Sequence, residues 1–165
     1  MLTKKVERAL NDQLNEEMFS AYMYLSLAAY FQDGNYDGFA GWMRAQAQEE
    51  VEHAMKFYDY INDRAGRVML ARIDAPPTEW ASPEAAFEAA WEHEKKITGL
   101  INDLVDLASK ERDHATRQFL QWFVVEQVEE EVLVGTVVHK LKMVSDSPSG
   151  MYILDRELAA RNAGA

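Results

Sequence analysis

The 165-residue chain contains no cysteine, which removes three chemistries together: disulfide cross-links, thiolate metal sites and cysteine nucleophiles. Any metal must therefore sit on oxygen and nitrogen ligands. Positive charge is scarce as well. Seventeen Lys and Arg stand against 28 Asp and Glu, a formal net charge of -11, which argues against nucleic acid or an anionic membrane as partner and suits cations. No apolar run is long enough to span a bilayer. Met1 to Asp12 is charged and amphipathic, with no basic segment leading into an apolar one, so it does not read as a signal peptide, and the expected location is the cytoplasm. Low-complexity segments and short tandem repeats are lacking, and the length suits a single domain over 1–165.

What is present is helical period. A first helix is expected from about Lys4 to Gln32, with Thr3 as N-cap and Gly34 just past its end. Asp37 can cap a second, which carries on to Ala65 before Gly66. Ser82, Pro83 and Glu84 supply a hydroxyl cap, a first-turn proline and an acid near the positive end of the dipole, opening a third helix that lasts to about Lys110. Asp113 begins a fourth, ending near Ser145. Ser147 and Pro148 open a short fifth, from about Ser149 to Arg161, after which the chain frays.

The connections set the topology. Short links make hairpins of the first two long helices and of the second two. The stretch from Arg67 to Ala81 has no helical period and contains Pro76 and Pro77; fully extended at ~3.4 Å per residue it reaches about 50 Å, whereas a long helix here measures about 42 Å. The link can cross the whole bundle, so the second and third helices run parallel. The fold class is all-α: a four-helix bundle with one long crossover and a short C-terminal fifth helix.

Each long helix carries an apolar seam interrupted by acid near its middle. The seams run Leu10, Leu14, Glu17, Ala21, Tyr24, Ala28, Phe31; then Phe39, Met43, Gln46, Glu50, His53, Phe57, Tyr60; then Phe87, Ala90, Glu94, Ile97, Ile101; then Leu120, Phe123, Gln127, Glu130, Val134, Val137, Leu141. One acid in such a seam usually marks a stripe edge. Glu17, Glu50, Glu94, Glu130, His53 and Gln127 at one level demand another explanation, because buried unpaired carboxylates are costly, and cations held between them supply it. Glu50 and His53, three apart, share a face. The mixture of bridging carboxylate and one imidazole suits iron, manganese or zinc more than calcium. Tyr24, two turns from Glu17, is either a core aromatic or a phenol serving a ligand.

An inward Glu on each of two helices with Glu-x-x-His spacing on another is the ligand pattern of ferritin-like di-iron proteins. The chain resembles the non-haem ferritins of bacteria and archaea over essentially its whole length, through Asn11 to Tyr24 (NDQLNEEMFSAYMY), Gln46 to Lys56 (QAQEEVEHAMK), Trp91 to Glu94 (WEHE) and Phe119 to Glu131 (FLQWFVVEQVEEE). The resemblance implies a first iron site of Glu17, Glu50 and His53, with Glu50 bridging to a second of Glu50, Glu94 and Glu130. Gln127 and Tyr24 stand beside that pair. It also implies a third, more exposed site at Glu49, Glu126 and Glu129. The implied reaction is ferroxidase chemistry, oxidation of two Fe(II) ions ~3.5 to 4 Å apart by dioxygen or peroxide. Mineral would collect inside a hollow homo-oligomer of 24 subunits. The fifth helix would line its fourfold axes through Met151, Tyr152, Ile153, Leu154 and Leu158.

Departures from sister families narrow the reading. Gln127 and Glu130 replace the second Glu-x-x-His of bacterioferritin and rubrerythrin, and Val51 stands where bacterioferritin carries its haem-ligating methionine, so no haem is expected. Rubrerythrin also needs cysteine-bound iron. The mini-ferritins lack the terminal helix. His93, His114 and His139 read as surface or incidental, Trp122 as packing and Glu131 as part of a solvated face. Two other functions share these ligands: a passive metal-binding shell without turnover, and a di-iron peroxidase or oxygenase of small oligomeric size.

Overall fold

The computed structural model describes residues 1–160. Five helices follow one another: α1 (Lys4–Asp33), α2 (Asp37–Asp63), α3 (Pro83–Lys110), α4 (His114–Val144) and α5 (Pro148–Ala159). Arg161, the expected end of the fifth helix, and the tail after it lie outside the described residues. No helix among the described residues is long and apolar enough to cross a membrane.

Three of the expected caps form: Thr3, Ser82 and Asp113 accept from the backbone N–H groups of Val6, Ala85 and Thr116. Asp113 does more, because Arg64 grips both its carboxylate oxygens at 3.1 and 3.2 Å and so ties the end of α2 to the start of α4. Against the cost of burial, the bonds from Thr116 and Arg64 hold its pKa below the ordinary value. Ser147 likewise caps α5 through Gly150 N–H.

One expectation about helix ends is corrected. Asp37 lies within α2, whose cap position belongs to Tyr36 with no side-chain bond. The donor at Phe39 N is met instead by Asp155 of α5, at 2.9 Å. Gly34 stands at the C-cap of α1, just past its end as expected, without taking the left-handed conformation (φ -77). That conformation falls to Asn35 (φ 60), Ala65 (φ 56) and Arg112 (φ 55). Each closes its helix in the same way: the left-handed residue bonds three residues back and the next residue bonds five back, as in Tyr36 N to Phe31 O and Gly66 N to Ile61 O.

The helices pair α1 with α2 and α3 with α4, while α1 also touches α3. The link between α2 and α3 runs the length of α1. Asn11 bonds Arg67 O and Met69 N, Asn15 bonds Arg72 O, Ser26 bonds Pro77 O, and Tyr30 meets Trp80 edge to face. The link therefore crosses the bundle, and α2 and α3 are parallel.

Packing divides the interior into two apolar clusters. One gathers Tyr24, Phe31, Phe39, Met43 and Phe87 with Val134 to Leu141 and the inner face of α5; the other gathers Val6, Leu10, Phe57, Ile61, Ile97, Ile101, Leu120 and Phe123. Stacked rings stiffen the second, Phe57 on Phe123 at 4.3 Å and Tyr60 on Phe119 at 3.9 Å, each pair adding about 0.5–1.5 kcal/mol beyond area burial. Between the clusters lies a polar layer.

The fifth helix packs on α2 and α4 of its own chain. Leu154 and Leu158 are buried there, so they are already used, while Tyr152 and Ile153 stay exposed. The expectation that all five apolar residues serve an inter-subunit contact is corrected to that extent. The approach to α2 is close enough to require glycine, since a Cβ on Gly38 would fall 1.7 Å from Asp155 O. Overpacking of this kind costs about 1–3 kcal/mol. Gly38→Ala is expected to lift α5 from the bundle, raising amide exchange across 148–159 by about tenfold or more while α1 to α4 keep their protection. Unchanged exchange in α5 would refute the contact.

Candidate metal centre

The polar layer is built by the seams. Glu17 of α1, Glu50 and His53 of α2, Glu94 of α3, and Gln127 and Glu130 of α4 are each no more than 4 % exposed. All six expected residues are thus brought to one level in the bundle. Neutral donors hold most of the acids in place. Gln13 donates to Glu17 Oε1 at 2.7 Å, Gln46 to Glu130 Oε2 at 2.8 Å, Gln127 to Glu94 Oε2 at 3.2 Å, and the Tyr24 hydroxyl to Glu94 Oε1. Tyr24 is fully buried, and its phenol is spoken for by that carboxylate.

His53 sits between two groups of acids. Its Nδ1 lies 3.4 Å from Glu50 Oε2 and its Nε2 lies 3.9 Å from Glu126 Oε1. Trp122 and Phe123 meet the ring edge to face and fix its plane. Among the described residues, two groups place ligand atoms within 4.8 Å of one another: Glu17, Glu50 and His53, and separately His53, Glu126 and Glu130. The first is the expected first site. Glu94 is not among them, nor are Glu49 and Glu129; Glu49 is half-buried and Glu129 exposed. The expected third grouping therefore differs from the geometry, where Glu126 converges with His53 and Glu130. Neutral imidazole has one lone pair, so the two groups cannot both take His53 as ligand at once.

The donor set fits a hard or borderline divalent cation. Glu17 belongs to the first group, and its Oε2 is buried with no hydrogen-bond partner among the described residues. An anionic oxygen left bare in an apolar bundle is strongly disfavoured unless protonated or bound to a cation. The titration behaviour agrees. Burial first, then the neighbouring Glu50, raises Glu17 well above the ordinary carboxyl value; burial and Glu94 do the same to Glu50. Glu94 and Glu130 rise to about 7, again chiefly through burial. Tyr24 is raised well above its ordinary value by burial and Glu94.

Sequence reasoning missed several residues here. Gln13 and Gln46 were not seen as donors to the acids, although each stands four residues from a seam acid. His93 is a correction: it is buried, its Nε2 lies 2.7 Å from Ser20 Oγ, Phe19 packs on the ring, and burial lowers its pKa to about 4. Glu131 is a second, since it is half-buried and accepts from the Thr98 hydroxyl at 2.6 Å. Trp122 packs against His53 as expected and carries the Lys56 ammonium 4.5 Å from its ring centre. His114 and His139 are exposed.

The ferritin-like domain family matches residues 7–144. The chain belongs to the ferritins. It is 42% identical to the bacterial non-heme ferritin of Bacteroides fragilis over 161 residues, 98% of this chain and 100% of that one. The bacterial non-heme ferritin of Staphylococcus saprophyticus is also 42% identical, over 98% of this ferritin and 97% of its own length. Among solved structures, the open pore ferritin of the hyperthermophilic archaeon Archaeoglobus fulgidus superposes with a TM-score of 0.96 at 47% identity, covering 96% of this ferritin and 98% of that chain.

The raised carboxyl values of this ferritin make the metal-free layer pH-sensitive. Folded Glu94 and Glu130 keep protons to about pH 7 that the unfolded chain releases near its ordinary value of 4.5. Their stabilising effect is complete below about 4.5 and is lost as pH rises to 7, at up to ~1.4 kcal/mol per pH unit per group. Denaturant midpoints of metal-free protein should fall across that window, and the double variant Glu94→Gln, Glu130→Gln should flatten the fall. An equally steep decline in the double variant would count against this account.

Proposed function

We propose that this ferritin stores iron and is a ferroxidase, oxidising Fe(II) at a dinuclear site inside each subunit and collecting the ferric product in a hollow shell. The observation that carries the reading is the convergence of Glu17, Glu50 and His53 within 4.8 Å, with one buried carboxylate oxygen otherwise unsatisfied. Glu50 is shared with a second position that Glu94 and Glu130 complete. Gln127 and Tyr24 orient Glu94 beside it. Glu126, with Glu49 and Glu129, forms a third iron position.

Iron is the substrate. Two Fe(II) ions give one electron each to dioxygen, which takes up two protons and departs as hydrogen peroxide. Peroxide, where it is the oxidant, takes two electrons and two protons to give two waters. The ferric ions hydrolyse, releasing protons as oxyhydroxide forms. Four buried carboxylates favour the more highly charged ferric state, and their raised proton affinities mean that metal entry displaces protons. No haem is assigned, and we place the protein in the cytoplasm as a single-domain subunit of a 24-subunit homo-oligomer, with neither nucleic acid nor membrane as partner.

Two measurements test this. Sedimentation should show a particle of about 450 kDa for 24 copies of the 18.9 kDa chain; a small oligomer points to a di-iron peroxidase or oxygenase and removes the storage reading. In stopped-flow absorbance, aerobic Fe(II) should give a rapid ferric signal that Glu50→Ala slows by about 100-fold. A wild-type rate no faster than that variant's leaves a passive metal-binding shell.

A further inference from the structure

Thr98 and Glu131 stand outside the ring of acids, yet a chain of hydrogen bonds joins them to it. Thr98 follows Glu94 by four residues on α3, and Glu131 follows Gln127 by four on α4, so the two pairs face each other across the helix interface. The Thr98 hydroxyl donates to Glu131 Oε1 at 2.6 Å. Gln127 Nε2 then donates to Thr98 Oγ1 at 3.3 Å, to Glu94 O at 3.2 Å and to Glu94 Oε2 at 3.2 Å.

Donor and acceptor counting gives this square a direction. A carboxylate can only accept, so Glu131 accepts the hydrogen bond from the Thr98 hydroxyl and leaves Thr98 presenting a lone pair to Gln127. That lone pair selects the NH2 side of the Gln127 amide. With the amide so turned, its N–H also meets Glu94. The reversed amide would set a carbonyl oxygen against the Glu94 carboxylate, the Glu94 backbone carbonyl and the Thr98 lone pair, three repulsive contacts in place of attractive ones. The Glu94 backbone carbonyl favours the same orientation, and the Thr98–Glu131 pair reinforces it from the other side.

We propose that Thr98 and Glu131 are positioning residues that fix the amide of Gln127 and, through it, the carboxylate of Glu94 for the second metal position. The inference rests on the dinuclear reading above. Glu94 then has one oxygen held by Tyr24 and the other by an amide whose direction the Thr98–Glu131 pair reinforces. Outer hydrogen-bond partners of metal ligands typically change affinity by about 10–100-fold.

Cobalt(II) titration of the assembled protein, followed by its visible ligand-field absorption, separates the two levels of the argument. Wild type should take two tight Co(II) per subunit; fewer would sink the dinuclear reading and this inference with it. In Thr98→Val, which keeps shape and removes the hydroxyl, the second Co(II) should weaken by about tenfold or more while the first is unchanged. Thr98→Ser should restore it. Glu131→Ala should weaken the second ion, and Glu131→Gln, which still offers an acceptor oxygen, should weaken it less. Two ions bound as tightly in Thr98→Val and Glu131→Ala as in wild type, or both ions weakened alike with no rescue by serine, would overturn the positioning role and leave the dinuclear reading standing.

Discussion

Repulsion among buried carboxylates is the constraint around which this bundle is arranged. Glu17, Glu50, Glu94 and Glu130 occupy one level of the core, and two unit charges ~4 Å apart repel by about 4 kcal/mol at an effective dielectric of 20. A protein selected only for stability would place Lys or Arg beside them, or apolar residues instead of them. Among the described residues none of the buried polar side chains is Lys or Arg. The partners are Gln13, Gln46, Gln127 and Tyr24, neutral donors that aim the carboxylates without cancelling their charge. The layer is therefore held in position and left electrostatically open, a state that protons relieve at low pH and divalent cations relieve at neutral pH.

The rest of the fold carries the cost of that layer. An apolar cluster on either side of it supplies the burial that the acids forgo, and the aromatic rings concentrated in both clusters leave the flanking turns little freedom to shift the ligands. The crossing link fastens to α1 at Asn11, Asn15, Ser26 and Tyr30, on both sides of Glu17, which fixes that helix along its axis. Arg64 and Asp113 join α2 to α4 at one end, and Asp155 joins α5 to α2 at the other. Ligands three or four residues apart on a helix are set by local geometry, but ligands on different helices depend on these axial ties.

Much of this was legible in the sequence because the two governing periods are independent of context. Steps of three and four identify the inward face, and the position of each acid along its helix fixes its level. Both survive without knowledge of packing. What escaped depended on partners distant in the chain. Asp155 meets a donor 116 residues earlier, so no local pattern could have shown that Asp37 is not the cap of α2. His93 lies one position off the seam and looked solvated, but α1 approaches α3 closely enough for Ser20 to enclose it. Glu131 belongs to a run of three acids that reads as surface, and only the opposing Thr98 gives it a role. The left-handed positions carry no glycine signal in the sequence. Glycine is the expected occupant, yet Asn35, Ala65 and Arg112 take that conformation because the closing hydrogen bonds outweigh a cost of about 1–2 kcal/mol each.

The two hairpins supply unequal halves to the site. The α1–α2 hairpin brings Glu17, Glu50 and His53, in which an imidazole nitrogen and two acids already lie within ligand distance of one another. The α3–α4 hairpin brings Glu94 and Glu130, with Glu130 where a second imidazole would complete the symmetry and Gln127 in the place of the first residue of that pair. That half has no imidazole nitrogen to offer a borderline metal, and Gln127 is occupied with orienting Glu94. A borderline divalent cation should therefore bind more tightly in the half with imidazole than in the half without it. That inequality matches the task proposed for the protein, in which the metal is consumed as substrate and one position must release it.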